Sequence, residues 1–239
     1  MPVVAERYWG LVPAAGVGTR MGGGVPKQYL ELAGRPLMTY ALEALLSHPR
    51  MAGVMVVVGA ADTRWPALGV AGGPSLMSAI GGAERCHSVI NGLHALAAAG
   101  AAGGDWVLVH DAARPCLREA DITRLMDELS GHPVGGLLGL PVRDTMKRAG
   151  ADGQLRETVS REGLWHALTP QMFRLGPLQA ALETVVAAGA TVTDEAEAME
   201  LAGHTPRLVE GSPDNIKVTH PADLRLAALY LAGQQRDRT

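Results

Sequence analysis

Aromatic residues and cysteines are scarce in this chain, and each scarcity excludes something. Only 4% of the 239 residues are aromatic, with a single phenylalanine, which offers little for stacking on single-stranded nucleic acid. The formal net charge of −3 argues against a broad polyanion-binding face, although it leaves room for local basic sites. The two cysteines, Cys86 and Cys116, stand in no metal-ligand or redox spacing and point to a reducing compartment. Apolar runs are broken by glycine, proline or charge well short of a membrane span. The N-terminal MPVVAERYWG lacks the basic start and apolar core of a signal peptide. The expectation is a cytoplasmic protein that binds neither nucleic acid nor membrane. What is present, 47% hydrophobic and 19% charged residues, is too apolar for disorder and enough for a sizeable core.

Strand-like and helix-like runs alternate. Tyr8 to Pro13 is a short apolar run ending in a Gly-rich loop. Residues 36–47 carry Leu37, Ala41, Ala44 and Leu45 at helical spacing, and 53–59 (GVMVVVG) is β-branched and bounded by glycine. Helix-like 88–100 precedes strand-like 105–111, and helix-like 119–131 precedes strand-like 134–142. Apolar strands separated by amphipathic helices predict an α/β fold, a doubly wound, mostly parallel sheet covered on both faces. Further on, the pattern predicts a helix at 194–203, strands near 206–210 and 215–219, and a last helix at 221–233. Residues 143–168 break the rhythm. They are polar and charged, with a turn signal at Asp152-Gly153, and are too long for an ordinary connection. They read as a protruding β-hairpin arm. No linker divides the chain, so one domain spanning 1–239 and including the arm is expected.

The stretch PAAGVGTRMGGGVPKQY at 13–29 fits neither standard phosphate motif. A dinucleotide fingerprint from Gly16 and Gly18 needs a third glycine where Met21 stands, and no acidic residue closes the second strand. No G-K-[ST] follows for a P-loop. Small residues Ala14, Ala15, Gly16 and Gly18 nevertheless let backbone N–H groups approach an anion, and Arg20 and Lys27 bring full charges to the same loop.

The motifs PAAGVGTRM, PKQY, GGAERCHSV, HDAARP, PVRDTMKR, LWHALTPQ, TDEA and NIKVT, in this order between residues 11 and about 225, resemble the 2-C-methyl-D-erythritol 4-phosphate cytidylyltransferase family. The first two mark the wider, Rossmann-like sugar-phosphate nucleotidyltransferases; HDAARP, DTMKR and LWHALTPQ together are much more specific. The resemblance implies transfer of CMP from CTP to a polyol phosphate, with release of pyrophosphate. It implies Arg20 and Lys27 as transition-state stabilisers, and Arg161 and Lys217 as the pair positioning the acceptor phosphate. It places Pro13, Ala14, Ala15, Gly16, Gly18, Gly82, Ala83, Ser88 and Asp111 at the nucleotide, and Ala112, Arg114, Thr145, Thr169 and Thr193 at the acceptor.

Several assignments stay open at this level. Many relatives have an acid where Ala83 stands, which is harmless if the backbone makes that contact. Ser88 contacts the base, caps the following helix, or does both. Asp111 sits near the ribose, the acceptor or Mg²⁺, and Arg114 either meets the acceptor phosphate or pairs with Asp111. Mg²⁺ is implied by the chemistry and would be held mainly by the CTP phosphates, with no dedicated protein metal site. The resemblance also implies a homodimer whose arm, anchored by Met146, Leu155, Val159, Leu164 and Trp165, carries Thr145 and Arg161 towards the neighbouring site. A fused cyclase domain, found in some relatives, is not expected in a chain ending at Thr239. The rival readings are a ribitol-5-phosphate cytidylyltransferase and a non-catalytic nucleotide-binding module.

Overall fold

A computed structural model of the chain describes residues 6–16 and 24–237; Gly18 and Arg20 lie outside the described residues. A seven-stranded sheet is built from β1 (Tyr8–Pro13), β4 (Met51–Val58), β5 (Leu76–Ile80), β6 (Trp106–Val109), β7 (Gly135–Pro141), β10 (Trp165–Arg174) and β11 (Arg207–Glu210). Its order is β5-β4-β1-β6-β10-β7-β11. Every pairing is parallel except those of β10, which runs antiparallel to both β6 and β7. Two small antiparallel pairs stand apart: β2 (Glu31–Leu32) with β3 (Arg35–Pro36), and β8 (Met146–Ala149) with β9 (Leu155–Val159). The helices are α1 (Leu37–Leu46), α2 (Arg85–Ala98), α3 (Glu119–Leu129), α4 (Leu175–Ala187), α5 (Glu195–Leu201) and α6 (Pro221–Asp237).

Alternation along the strands feeds two cores. Val12, Val54, Val56, Trp106 and Leu108 pack with Met38, Leu42 and Leu45 of α1 and with Ile122, Leu125 and Met126 of α3. The intervening Leu11, Met55, Val57, Val107 and Val109 pack with α2, α4 and α5 through Val89, Leu93, Leu178, Leu182 and Met199. Because successive side chains point to opposite faces, strands apolar throughout must be covered on both sides, and the expected doubly wound sheet follows. Helix α6 adds a smaller cluster, in which Ala227 meets Leu37, Ala113, Cys116 and Val218. No helix among the described residues is long and apolar enough to cross a membrane.

Three expectations from the sequence are corrected, and two elements were not expected. Residues 165–168 were assigned to the excursion, but they open β10 in the central sheet; the hairpin proper is β8 and β9, turning through Gly153 at φ 76°. No strand forms at 215–219: the Asn215 and Ile216 N–H groups donate locally, to the Ser212 and Asp214 carbonyls, the Val218 N–H donates to the Ala113 carbonyl (2.8 Å), and there is no ladder. Helix α2 starts at Arg85, ahead of the residues whose periodicity announced it. Strand β5 and helix α4 went unread. Strand β5 is a short edge strand with two of its five residues exposed and none buried, and α4 carries Gly176 and Pro177 in its first turn, both of which mask a helical pattern.

Candidate active site

The topological switch point lies between β1 and β6. The chain leaves β1 towards β4 on one side and returns to β6 on the other, so the carboxyl ends of both strands open on a common crevice. A cleft of about 260 Å³ sits there. Its walls include Pro13, Ala14, Ala15 and Gly16 after β1, Gly82, Ala83 and Ser88 before and within α2, and Asp111 and Ala112 after β6, with Lys27 and Lys217 at its rim. All of these were expected from the sequence. Gln28, Glu84, Arg85 and Ala113 also line it.

Local bonding explains how the walls are held. The Ala14 N–H donates to the Val57 carbonyl (2.7 Å), and the buried Gln28 amide donates to the Ala14 carbonyl (2.6 Å). The PKQY turn is thereby tied to the start of the Gly-rich loop, and Lys27 is brought to the cleft. Tyr29 locks the same turn from the other side, its hydroxyl donating to Asp62 (2.8 Å). Across the cleft a Cβ on Gly81 would stand 2.4 Å from the Ala15 Cβ, so only glycine lets the two loops approach this closely. Ser88 does not cap α2, whose N-cap is Glu84. Instead its hydroxyl donates to the Glu84 carbonyl and accepts from the Gly82 N–H, both at 3.1 Å.

Asp111 is the electrostatic centre. Its Oδ2 lies 2.9 Å from Lys217 Nζ and 3.7 Å from Arg114 Nε, and its Oδ1 lies 3.4 Å from Arg85. Burial alone would raise its pKa, but Arg85, Lys217 and Arg114 outweigh that and hold the carboxyl well below the ordinary range. Arg85 is gripped from behind by Glu195, fully buried at the start of α5, in a two-pronged pair of 2.7 and 3.0 Å. Burial opposes the Arg85 charge, yet Glu195 and Asp111 together raise its pKa. The sequence pattern singles out neither residue: Arg85 lies within GGAERCHSV with neither of these charge partners nearby in the chain, and Glu195 is one of several acids at the start of α5.

Other expected residues lie elsewhere. Arg114 and Thr169 are buried behind the Asp111 wall. Arg114 pairs with Asp111 and donates to the carbonyls of Asn215 (2.7 Å) and Ala167 (3.3 Å). Burial lowers its pKa. Thr193 is exposed, and both its N–H and its hydroxyl donate to Glu197 (2.6 and 2.8 Å), staging the start of α5. Thr145 and Arg161 are exposed near the base of the hairpin, where Arg161 donates to the Arg143 carbonyl, and neither lines this chain's cleft. Among the described residues, one group of three metal-capable side chains occurs, Glu84, Cys86 and His87, with ligand atoms within 4.8 Å of one another. Its sulfur and nitrogen donors do not suit Mg²⁺, which prefers oxygen.

A glycine-lined anion cradle and converging cations at the switch point of a doubly wound sheet define an α/β protein of the nucleotidyltransferase class. The family model described as 2-C-methyl-D-erythritol 4-phosphate cytidylyltransferase matches residues 9–233. The chain belongs to this family. A protein of that name from Ectopseudomonas mendocina (strain ymp) is 52% identical over 235 residues, covering 98% of this chain and 99% of the relative. A crystal structure of 4-diphosphocytidyl-2C-methyl-D-erythritol synthase matches with a TM-score of 0.82 at 37% identity, covering 95% of this chain and 99% of that one. The Francisella tularensis 2-C-methyl-D-erythritol 4-phosphate cytidylyltransferase matches with a TM-score of 0.81 at 31% identity, covering 94% of this chain and all of that one (100%).

The buried pair sets an asymmetric expectation. Arg85→Ala strands a fully buried Glu195 carboxylate, whereas Glu195→Ala leaves Arg85 partly solvated and still beside Asp111. Denaturant unfolding should show about 3–5 kcal/mol lost for Arg85→Ala and clearly less for Glu195→Ala. Equal losses would mean that the pair is not the source.

A pH dependence also follows. His110 is fully buried, and burial pushes its pKa down from 6.5 to about 4. Between these values the unfolded chain binds a proton that the folded one does not, so stability falls as pH falls through that window. The slope for one group is at most about 1.4 kcal/mol per pH unit. Thermal unfolding between pH 7 and 5 should show this slope in the parent protein and a shallower one in His110→Asn; identical slopes would remove His110 as the cause.

Proposed function

We propose that the protein transfers CMP from CTP to 2-C-methyl-D-erythritol 4-phosphate, releasing pyrophosphate and forming 4-diphosphocytidyl-2-C-methyl-D-erythritol for isoprenoid precursors. The observation that carries this reading, beside family membership, is the meeting of Lys217, Arg85 and Arg114 at Asp111 in the cleft that residues 13–16 line. An acceptor phosphate oxygen attacks the α-phosphorus, a new P–O bond forms, and the bond to the β-phosphate oxygen breaks. The acceptor is already an anion, so no general base is needed. The requirement is alignment of two mutually repelling groups and neutralisation of charge on the leaving pyrophosphate.

The residues divide this work. Lys27, which lines the cleft, is assigned to the triphosphate, as by family resemblance is Arg20. Lys217 takes the acceptor phosphate, exchanging the Asp111 carboxylate for it. The Gly82 N–H is already occupied by Ser88, which leaves the Gly82 carbonyl to accept from an exocyclic amino group, present in cytosine and absent from uracil. Ala83 lines the cleft and brings no carboxylate to it, so the contact assigned there is made by its backbone.

Mg²⁺ belongs to this reading as a ligand of the CTP phosphates. The carboxylates lining the cleft are Asp111 and Glu84. Of the Asp111 oxygens, Oδ1 has the looser partner, at 3.4 Å, which fits a metal that takes few protein ligands. When bound, it neutralises the polyphosphate and polarises the α-phosphoryl group. Loss of pyrophosphate release on chelation, restored by added Mg²⁺, tests this assignment. We place the protein in the cytoplasm, in keeping with its two free, buried cysteines; recovery in the membrane fraction would contradict it.

The reading also includes a homodimer in which the hairpin completes the partner's acceptor site. Leu155, Leu164 and Trp165 support it, exposed at 60%, 38% and 36%, as does the exposure of Thr145 and Arg161 outside their own cleft. Mixing Arg161→Ala and Lys217→Ala subunits, at an acceptor concentration too low for either variant alone to turn over, should then restore about a quarter of the parent activity, since half of the dimers are mixed and each carries one intact site. No recovery would place Arg161 in its own subunit's site.

The deciding assay is pyrophosphate release from CTP and Mg²⁺, run in parallel with methylerythritol phosphate and with ribitol 5-phosphate. Release with the first acceptor alone supports the reading, and release with the second overturns the substrate. CTP binding without release with either makes the non-catalytic module the better account. Lys27→Ala should lower kcat far more than it raises the acceptor KM, and Lys217→Ala should chiefly raise that KM. The reverse pattern would exchange the two roles.

A further inference from the structure

A directed run of hydrogen bonds passes through the wall behind Asp111. The Asp111 N–H donates to the Thr169 hydroxyl (3.1 Å). Thr169 Oγ1 lies 2.9 Å from His110 Nδ1, and His110 Nε2 lies 3.0 Å from the Arg114 carbonyl. A carbonyl only accepts, so Nε2 carries the ring proton. In the neutral imidazole Nδ1 must then accept, and the Thr169 O–H donates to it. Every atom in the run has one assigned role, from the Arg114 carbonyl back to the Asp111 N–H.

The same segments are joined a second time. Asn215 donates from its side-chain amide to the Thr169 carbonyl (2.8 Å), and its own carbonyl accepts from Arg114 (2.7 Å). Asn215 stands two residues before Lys217. His110, Thr169 and Asn215 are 0%, 4% and 1% exposed, and none of the three lines the cleft. The Thr169 hydroxyl is engaged on both its donor and its acceptor side, which leaves it poorly placed to serve a ligand.

We infer that His110 is a positioning residue for the acceptor end of the site: its two ring nitrogens clamp both ends of the 110–114 turn, one through Thr169 to the Asp111 backbone and one directly to the Arg114 carbonyl. Thr169 is the intermediary of this clamp and not a contact of the acceptor. The turn needs an acceptor and a donor on opposite edges of one rigid neutral group, which only imidazole supplies. Held this way, Asp111 faces Lys217, and the Arg114 guanidinium stays behind the carboxylate.

The inference rests on the cytidylyl-transfer reading for its kinetic readout, and has a second readout that does not. In ¹⁵N NMR of the labelled protein His110 should show the Nε2–H tautomer; an Nδ1–H tautomer overturns the clamp whether or not the protein turns over CTP. In the pyrophosphate assay Thr169→Val, which leaves the Asp111 N–H and His110 Nδ1 unpartnered, should raise the acceptor KM about tenfold. The CTP dissociation constant, measured by titration calorimetry, should change by less than about twofold, and Thr169→Ser should restore the parent KM. His110→Asn keeps an acceptor near Nδ1 and gives up the Arg114 carbonyl, and it should also raise the acceptor KM. Combined with Thr169→Val it should be no worse than the more damaging single change, because both break one clamp. Multiplying effects, or a parent-like acceptor KM in Thr169→Val, overturn the proposal. If His110→Asn fails to fold by near-ultraviolet circular dichroism, His110→Gln, which keeps the donor near Nε2, takes its place in the cycle. A parent protein with the Nε2–H tautomer and no turnover would count against the cytidylyl-transfer reading and not against the clamp.

Discussion

Three cations share one end of this sheet because a buried carboxylate stands between them. At an effective dielectric constant of about 20, two like charges 4 Å apart repel by about 4 kcal/mol. Arg85, Arg114 and Lys217 would not converge on that scale without a counter-charge. Asp111 supplies it from the front, and Glu195 supplies a second from behind Arg85. The cluster thus holds three positive and two negative charges and keeps a net positive charge without strong self-repulsion. The remaining positive charge, with Lys27 nearby, is what a polyanionic ligand meets.

The fold exists around this cluster in a specific sense. Strand β6 delivers Asp111 at its carboxyl end, and the antiparallel β10 lies between β6 and β7 with Thr169 and Ala167 facing the same turn. Two residues along β10, the Gln171 amide donates to Asp194 (2.9 Å) and its carbonyl oxygen accepts from the Ala196 N–H (2.8 Å), which pins the first turn of α5. Glu195 lies between these two anchors and is thereby aimed at Arg85. A parallel strand in the place of β10 would run through this region in the opposite direction and would not present Thr169 and Gln171 in this order. The single reversed strand of the sheet is the one that ties the acceptor wall to α5.

Much of this was legible in the sequence, and what was not has physical reasons. Strands apolar throughout announced a sheet covered on both faces, and the small residues at 14–16 announced a loop that lines the cleft; both depend on local composition. Glu195 was invisible because DEAEAMELAG shows four acids in seven positions, and periodicity alone does not say which of them turns inward. Gln171, which decides it, is 24 residues away. Strand β10 was hidden by its entry, since 165–168 continue the polar excursion in sequence while belonging to the sheet in space. The expected strand at 215–219 bonds partly within its own turn and partly to a loop, through Val218 to Ala113. An apolar pattern reports extension and burial; it does not report which partner the backbone finds. Thr169 and Thr193 were placed at the ligand by resemblance, yet their hydroxyls are taken by His110 and Asp111 in one case and by Glu197 in the other.

The three cations at Asp111 are not equivalent, and the difference lies in what else holds them. Arg85 is fastened by two bonds to a fully buried glutamate, and Arg114 by bonds to two carbonyls. Neither can leave without orphaning a buried group, at a cost of several kcal/mol for a charged one. Lys217 has Asp111 as its ion-pair partner among the described residues, and its side chain is 43% exposed where that of Asp111 is 12%. Lys217 is therefore the cation that can change partners while the carboxylate stays in place, still neutralised by two fixed arginines. A lysine suits this position and an arginine suits the other two, because a compact ammonium on a flexible stem changes partners readily while a planar guanidinium is built to be held. The residue that moves and the residues that stay are thus assigned by their second partners, before any ligand arrives.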